Sequence, residues 1–119
     1  MTHRGDVVIV DYPYSDRTGS KVRPAVVVQA DFYNRQLADT IIALITSSKR
    51  RSVGAATQLP INVATPAGRQ SGLQFNSIVQ CENLVTLDQS LILKTIGRLV
   101  DPGLAGLDDR LKAALGIAG

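Results

Sequence analysis

Three unbroken apolar runs, rich in β-branched residues, fill the first half of the chain: Gly5–Asp11 (GDVVIVD), Pro24–Gln29 (PAVVVQ) and Thr40–Thr46 (TIIALIT). Valine and isoleucine favour extended backbone. Their apolar residues are continuous rather than alternating, which predicts strands buried on both faces. Proline opens the second run, a position that a strand tolerates. Weaker strands are expected over Thr57–Ile61, where Pro60 intervenes, Ser77–Cys81 and Lys94–Val100. A short helix is expected over Asp31–Leu37. The end of the chain changes character: Asp101 suits an N-cap and Pro102 a first helical position. Leu104, Leu107, Leu111, Ala114 and Leu115 then form one apolar stripe, and Gly116 supplies a stop. Strands first and one amphipathic helix last predict a mainly β fold with helices (α+β), a compact antiparallel curled sheet or barrel with the helix packed on it.

At 119 residues the chain suits one domain, 1–119, without internal repeats or low-complexity segments. A balance of 13 Lys and Arg against 10 Asp and Glu gives a net charge of +3, compatible with a polyanionic partner without requiring one. Cys81 is the only cysteine, so an intramolecular disulfide and a Cys-rich zinc site are both ruled out. The opening MTHRGD lacks the apolar stretch of a signal peptide, and no apolar run approaches the ~20 residues that cross a bilayer. A cytoplasmic protein that does not engage membranes is therefore expected.

Glycine-rich phosphate loops, HExxH and GxSxG are all missing. The single histidine, His3, rules out a two-histidine ribonuclease scheme within one chain, and no metal-ligand cluster or cofactor motif is visible. Chemistry is left to arginine, lysine, hydroxyls and carboxylates. Arg23 precedes proline, which biases its backbone towards an extended form and aims a planar, charged fork suited to phosphate. Taken alone it reads first as a surface arginine capping a strand. Thr46, Ser47 and Ser48, followed by Lys49, Arg50 and Arg51, suit the oxygens of an RNA backbone, or equally a solvated turn. Glu82 follows Cys81 at the expected end of the fifth strand, beside Gln80 and Asn83. It suits a general base, an orienter of an arginine, or a solvated charge. Tyr12, Tyr14 and Phe75 fall in expected loops and suit either base stacking or packing. Cys81 reads as a small buried apolar group, because no histidine is available to activate it.

In order and spacing these pieces resemble the MazF/PemK toxin family from about Arg4 to Leu115. Arg4-Gly5-Asp6-Val7-Val8 resembles the family's opening, Arg23-Pro24-Ala25-Val26-Val27-Val28 its RPxxV strand, and Ile45-Thr46 its threonine-ending third strand. Gly72-Leu73, Ser77-Ile78 and Leu84-Val85-Thr86-Leu87-Asp88 resemble its GL…SxV…xxTxD segment. The resemblance implies an SH3-like curled β-barrel, a homodimer, and a type II toxin whose cognate antitoxin covers the RNA groove with a disordered segment. It also implies metal-independent, sequence-specific cleavage of single-stranded RNA, with no cofactor. In that cleavage the 2′-OH attacks the adjacent phosphorus and leaves a 2′,3′-cyclic phosphate and a 5′-OH. Arg23 and Thr46 match the family's essential arginine and threonine, and Glu82 is the expected base or orienter. Tyr14, Lys21, Ser47, Ser48, Phe75, Ser77 and Gln80 are the expected RNA contacts.

Two departures from the family pattern stand out. Some PemK-type members carry Arg-Cys-Asp where this chain has Gln80-Cys81-Glu82, and those members also place a histidine in the first loop, where this chain has none. A CcdB-like gyrase inhibitor shares the fold and is the rival reading, together with an inactive RNA-binding barrel. The rival's C-terminal Trp-Gly-Ile corresponds here to Leu115-Gly116-Ile117, and the chain has no tryptophan.

Overall fold

The three apolar runs lie side by side in a six-stranded antiparallel sheet in a computed structural model, which describes residues 2–12, 21–47 and 55–119. The strands are β1 (Asp6–Tyr12), β2 (Lys21–Val27), β3 (Asp39–Ser47), β4 (Gln58–Ile61), β5 (Ser77–Asp88) and β6 (Ile92–Arg98), in spatial order β4-β5-β3-β2-β1-β6. Three helices accompany them: α1 (Asp31–Gln36), α2 (Pro66–Gln70) and α3 (Gly103–Leu115).

Continuous apolar runs arise because the sheet has a core on each face. Val7 pairs with Val26, and both enter one buried cluster with Ala43, Ile45, Val79 and Cys81. The next pair along the same strands, Val8 and Ala25, enters a second cluster with Val10, Val27, Ile42, Leu44 and Leu87. Helix α3 covers the first face through Leu107, which has no exposed surface, flanked by the partly buried Leu104, Leu111 and Ala114. Val85, Leu91 and Ile92 pack on the second cluster. An ion pair from Arg4 Nη2 to Asp108 Oδ1, 2.6 Å, and a hydrogen bond from Arg4 Nε to the Val28 carbonyl, 3.0 Å, tie α3 to the end of β2.

The structure moves several expected boundaries. β2 begins at Lys21 rather than Pro24, because Lys21, Val22 and Arg23 pair with Tyr12, Asp11 and Val10. Proline thus lies inside the strand. β5 runs to Asp88 rather than Cys81, and β6 starts at Ile92 rather than Lys94. Pro102 occupies the N-cap position of α3 instead of the first turn, while Asp101 Oδ1 accepts from the Ala105 N–H at 3.2 Å. Gly116 ends that helix at φ 71, in the left-handed region that glycine adopts freely. Leu115, expected on the buried stripe, is 58% exposed. Helix α2 has no counterpart in the sequence reading. The side chain of Thr65 caps it, accepting from Gly68 N at 3.0 Å, and Pro66 opens it.

Candidate active site

The β2–β3 ladder begins at the pair Ala25–Leu44. Continuing its antiparallel register two residues outward puts Arg23 opposite Thr46. Pro24 lies between, with no N–H to extend the ladder towards β3. On its other side Arg23 pairs with Val10, and its guanidinium carbon lies 5.9 Å from the centroid of the Tyr12 ring. That is cation–π distance, so the ring backs the arginine at the strand end.

Here a cavity of about 640 Å³ opens, within the usual range for ligand sites. Arg23, Pro24, Ile45, Thr46 and Ser47 line it from β2 and β3, and Leu73, Gln74, Phe75, Ser77, Gln80 and Asn83 from β5 and the segment leading into it. Among the described residues that line it, Arg23 is the one that carries a charge. In a cleft otherwise walled by hydroxyls, amides and apolar groups, one guanidinium favours an anion. Phe75 is 70% exposed at this cleft, its carbonyl held by the Ser77 hydroxyl, which donates at 2.7 Å. The approach to Phe75 is fixed by Gly72 at φ 75, where an added Cβ would strike the Ile96 carbonyl oxygen.

A wide bulge in β5 sorts the chemically interesting residues. Leu44 pairs with Gln80 but Ala43 pairs with Leu84, leaving Cys81, Glu82 and Asn83 unpaired with β3. Bulges re-aim side chains in this way beside functional sites. Cys81 enters the core, where burial, with help from the Glu82 charge, pushes its thiol up to about 11 against the opposing pull of Arg110. Glu82 reaches β4 instead and accepts from Gln58 Nε2 at 2.7 Å and Thr57 Oγ1 at 2.9 Å. Partial burial pushes the Glu82 carboxyl up, but hydrogen bonds from Gln58, a backbone N–H and Thr57 outweigh it and hold the group below 4.5. Asn83 lines the cleft, and its Nδ2 donates to Gln80 Oε1 at 3.4 Å.

Of the residues expected from sequence, Arg23, Thr46, Ser47, Phe75, Ser77 and Gln80 therefore share one cleft. Glu82 is not among its lining residues, and it sits in the middle of β5 rather than at its end. The polar stretch Gln80-Cys81-Glu82-Asn83 looks like a strand terminus in sequence, and the bulge is the physical reason that it is not. Tyr12, expected in a loop, closes β1. Tyr14 and Ser48 lie outside the described residues, as does the side chain of Lys21. Gln74 and Asn83 line the cleft without having been singled out as contacts. Among the described residues, no three His, Cys, Asp or Glu side chains form a group that could hold a metal ion. No helix among them is long and apolar enough to cross a membrane.

Residues 3–115 match the family described as PemK-like, MazF-like toxin of type II toxin–antitoxin system. The chain belongs to this family. A relative, endoribonuclease EndoA of Bacillus subtilis, is 30% identical over 118 residues, covering 98% of this chain and 97% of EndoA. The same fold appears in a mycobacterial endoribonuclease solved in complex with its cognate antitoxin, with a TM-score of 0.77, 21% identity, and coverage of 100% of this chain and 99% of that one. It appears again in a MazE–MazF structure from Deinococcus radiodurans, with a TM-score of 0.73, 19% identity and 98% coverage of each chain. The six-stranded sheet with its terminal helix is thus the architecture of MazF-like toxins.

Proposed function

We propose that the chain is the toxin of a type II toxin–antitoxin pair, an endoribonuclease that cuts single-stranded RNA at short sequences. The observation that carries this reading is that Arg23 of β2 and Thr46 of β3 line one cleft in a MazF-like fold. In the proposed step the 2′-oxygen bonds to phosphorus as its proton leaves, and the P–O5′ bond breaks as the departing oxygen gains a proton. Negative charge accumulates on the phosphorane oxygens. Arg23 neutralises it and the Thr46 hydroxyl donates a further hydrogen bond, both from strands already in place before RNA arrives. Ser47 and Ser77 supply additional hydroxyls along the strand of RNA, and Phe75 a surface on which a base stacks. A second copy of the chain forms the homodimer, and the antitoxin inhibits by laying a segment over the cleft.

A positioning role for Glu82, rather than that of base, is supported by its contacts: its carboxylate accepts from Thr57 and from Gln58 of β4 while the neighbouring Asn83 lines the cleft. Glu82→Gln is therefore expected to cleave RNA within a few-fold of the wild-type rate, whereas losing a general base costs about 10²–10⁴-fold. A loss of that size would restore Glu82 to catalysis. The carboxyl is held below 4.5 in the folded state, so its stabilising contribution is complete above that pH. The contribution is lost as pH falls through the folded value. Melting curves taken from neutral pH downwards should show wild type losing more of its thermal midpoint below pH 4.5 than Glu82→Gln does.

Incubating the purified protein with a long single-stranded RNA in EDTA and mapping the ends by primer extension tests the whole reading. Discrete cuts with 5′-OH ends are expected. An RNA left intact, with supercoiling blocked in a gyrase assay, would overturn it in favour of a gyrase poison.

A further inference from the structure

We infer that the exposed aromatic helix α1 is a docking surface for a partner segment that is both apolar and basic. It lies at the end of the sheet away from the cleft. Helix α1 joins the end of β2 to the start of β3, whereas Arg23 and Thr46 lie towards the start of β2 and the end of β3. A docked partner therefore leaves the cleft open.

Phe32, Tyr33 and Leu37 are 57%, 52% and 50% exposed, and the rings of Phe32 and Tyr33 meet edge to face, with centroids 5.1 Å apart. The helix that presents them has six residues, too few to be stable alone. A polar network holds it in place. Buried Asn34 donates through Nδ2 to the Gln29 carbonyl at 3.0 Å. Its Oδ1 accepts from Gln29 Nε2 at 2.9 Å and from Thr40 Oγ1 at 2.7 Å. Gln89, just beyond β5, donates through Nε2 to the carbonyls of Asn34 and Leu37, both at 2.9 Å. A satisfied buried network of this kind is rigid. The fold thus fixes a helix whose large apolar side chains stay in water and join neither core cluster. Aromatic side chains on a preorganised backbone are what interfaces use as anchors, because little freedom remains to be lost on binding.

The charges beside the helix select the partner. Asp39 and Asp88 are both exposed and pair directly across β3 and β5, where like charges repel. Gln89 Nε2 reaches the Asp39 carbonyl at 3.5 Å as well as that of Leu37, which puts the aspartate pair beside the Leu37 end of α1. Asp88 Oδ1 accepts from the Ser90 N–H at 2.8 Å, and neither aspartate forms an ion pair with a described residue. Arg35, the one cation of α1, acts on Asp31 instead. The Arg4 N–H, with weaker help from His3 and Arg35, holds the Asp31 carboxyl below its ordinary value against a smaller cost of burial. A lysine or arginine arriving at Asp39 and Asp88 relieves their repulsion, and aromatic faces attract the same cations. An acidic segment would bring a third like charge. Apolar and basic is the chemistry that satisfies both the rings and the aspartates.

Two helical peptides of about 15 residues serve as probes, long enough to present an apolar stripe. One carries leucine at helical spacing with lysine elsewhere, and the other replaces every lysine by glutamate. Each is titrated into the isotope-labelled protein and followed by amide NMR shifts. The lysine peptide should move the amides of residues 31–39 and 88–91 and leave those of Arg23 and Thr46 in place. The glutamate peptide should bind at least about tenfold more weakly. Phe32→Ser combined with Tyr33→Ser should weaken the lysine peptide about tenfold or more, and so should Asp39→Asn combined with Asp88→Asn. All four side chains are exposed, so both variants should melt near wild type and cut RNA at its rate. Equal binding of the two peptides, no binding of either, or shifts centred on the cleft would overturn the proposal. Undiminished binding by the serine variant would do the same. Shifts at α1 on concentrating the protein alone would give the surface to a second copy, and shifts there with a short single-stranded RNA would give it to nucleic acid; either result overturns the basic partner.

Discussion

Replacing Arg23 with alanine is expected to lower the single-turnover rate of RNA cleavage by about 10²–10³-fold, the usual cost of removing a preorganised group from a developing oxyanion. The expectation is this large because every other described residue lining the cleft is uncharged. The fold should survive, because Arg23 is only partly buried and its recorded ring contact is with Tyr12 at the strand end, away from the core clusters. Arg23→Lys should recover little, since an ammonium lacks the planar fork that spans two phosphate oxygens and stacks on an aromatic face. The check is a fluorescent single-stranded oligonucleotide, cleaved under enzyme excess, beside a thermal melt of each variant. An alanine variant that melts normally and cuts at the wild-type rate would remove Arg23 from the mechanism.

The second large effect belongs to the core. Leu107 is completely buried among the residues that join α3 to the sheet, so Leu107→Ala removes most of a side chain from a packed site. Such truncations cost roughly 2–5 kcal/mol, according to how far the surroundings collapse into the space. For a chain of this length that lowers the melting midpoint by about 8–20 °C, taking roughly 4 °C per kcal/mol. Leu107 does not line the cleft, so cleavage measured well below the midpoint should stay near wild type. A variant that loses activity at a temperature where circular dichroism shows it folded would link α3 to the site directly.

The residues differ in how plainly they announced their places. Val7 and Val8, adjacent in one run, turned out to serve opposite faces of the sheet, as continuous apolar strands should. Leu107 was legible from helical spacing, whereas Leu115, on the same stripe, was left outside by the end of the helix at Gly116. Arg23 and Thr46 were separately ambiguous, and it is strand register that gives them a common cleft. Glu82 misled because a three-residue bulge has no local signature: its sequence is polar, like a strand end, yet pairing with β3 resumes at Leu84. Asn83 could be placed at the cleft only once that bulge was known. Helix α2 escaped notice because five residues are too few to show a period, although Thr65 and Pro66 are a recognisable start.

The order of strands in the sheet sets when the cleft can be completed during synthesis. β3 must wait for β5 to be synthesised, and β1 must wait for β6. A nascent chain that has emerged only as far as Ser47 therefore carries Arg23 and Thr46 with half of their cleft missing. At elongation speeds of roughly 5–20 residues per second, the full chain takes about 6–24 s to complete. The cleft is thus completed late in synthesis, and a truncated product holding the arginine and the threonine would lack its β5 wall.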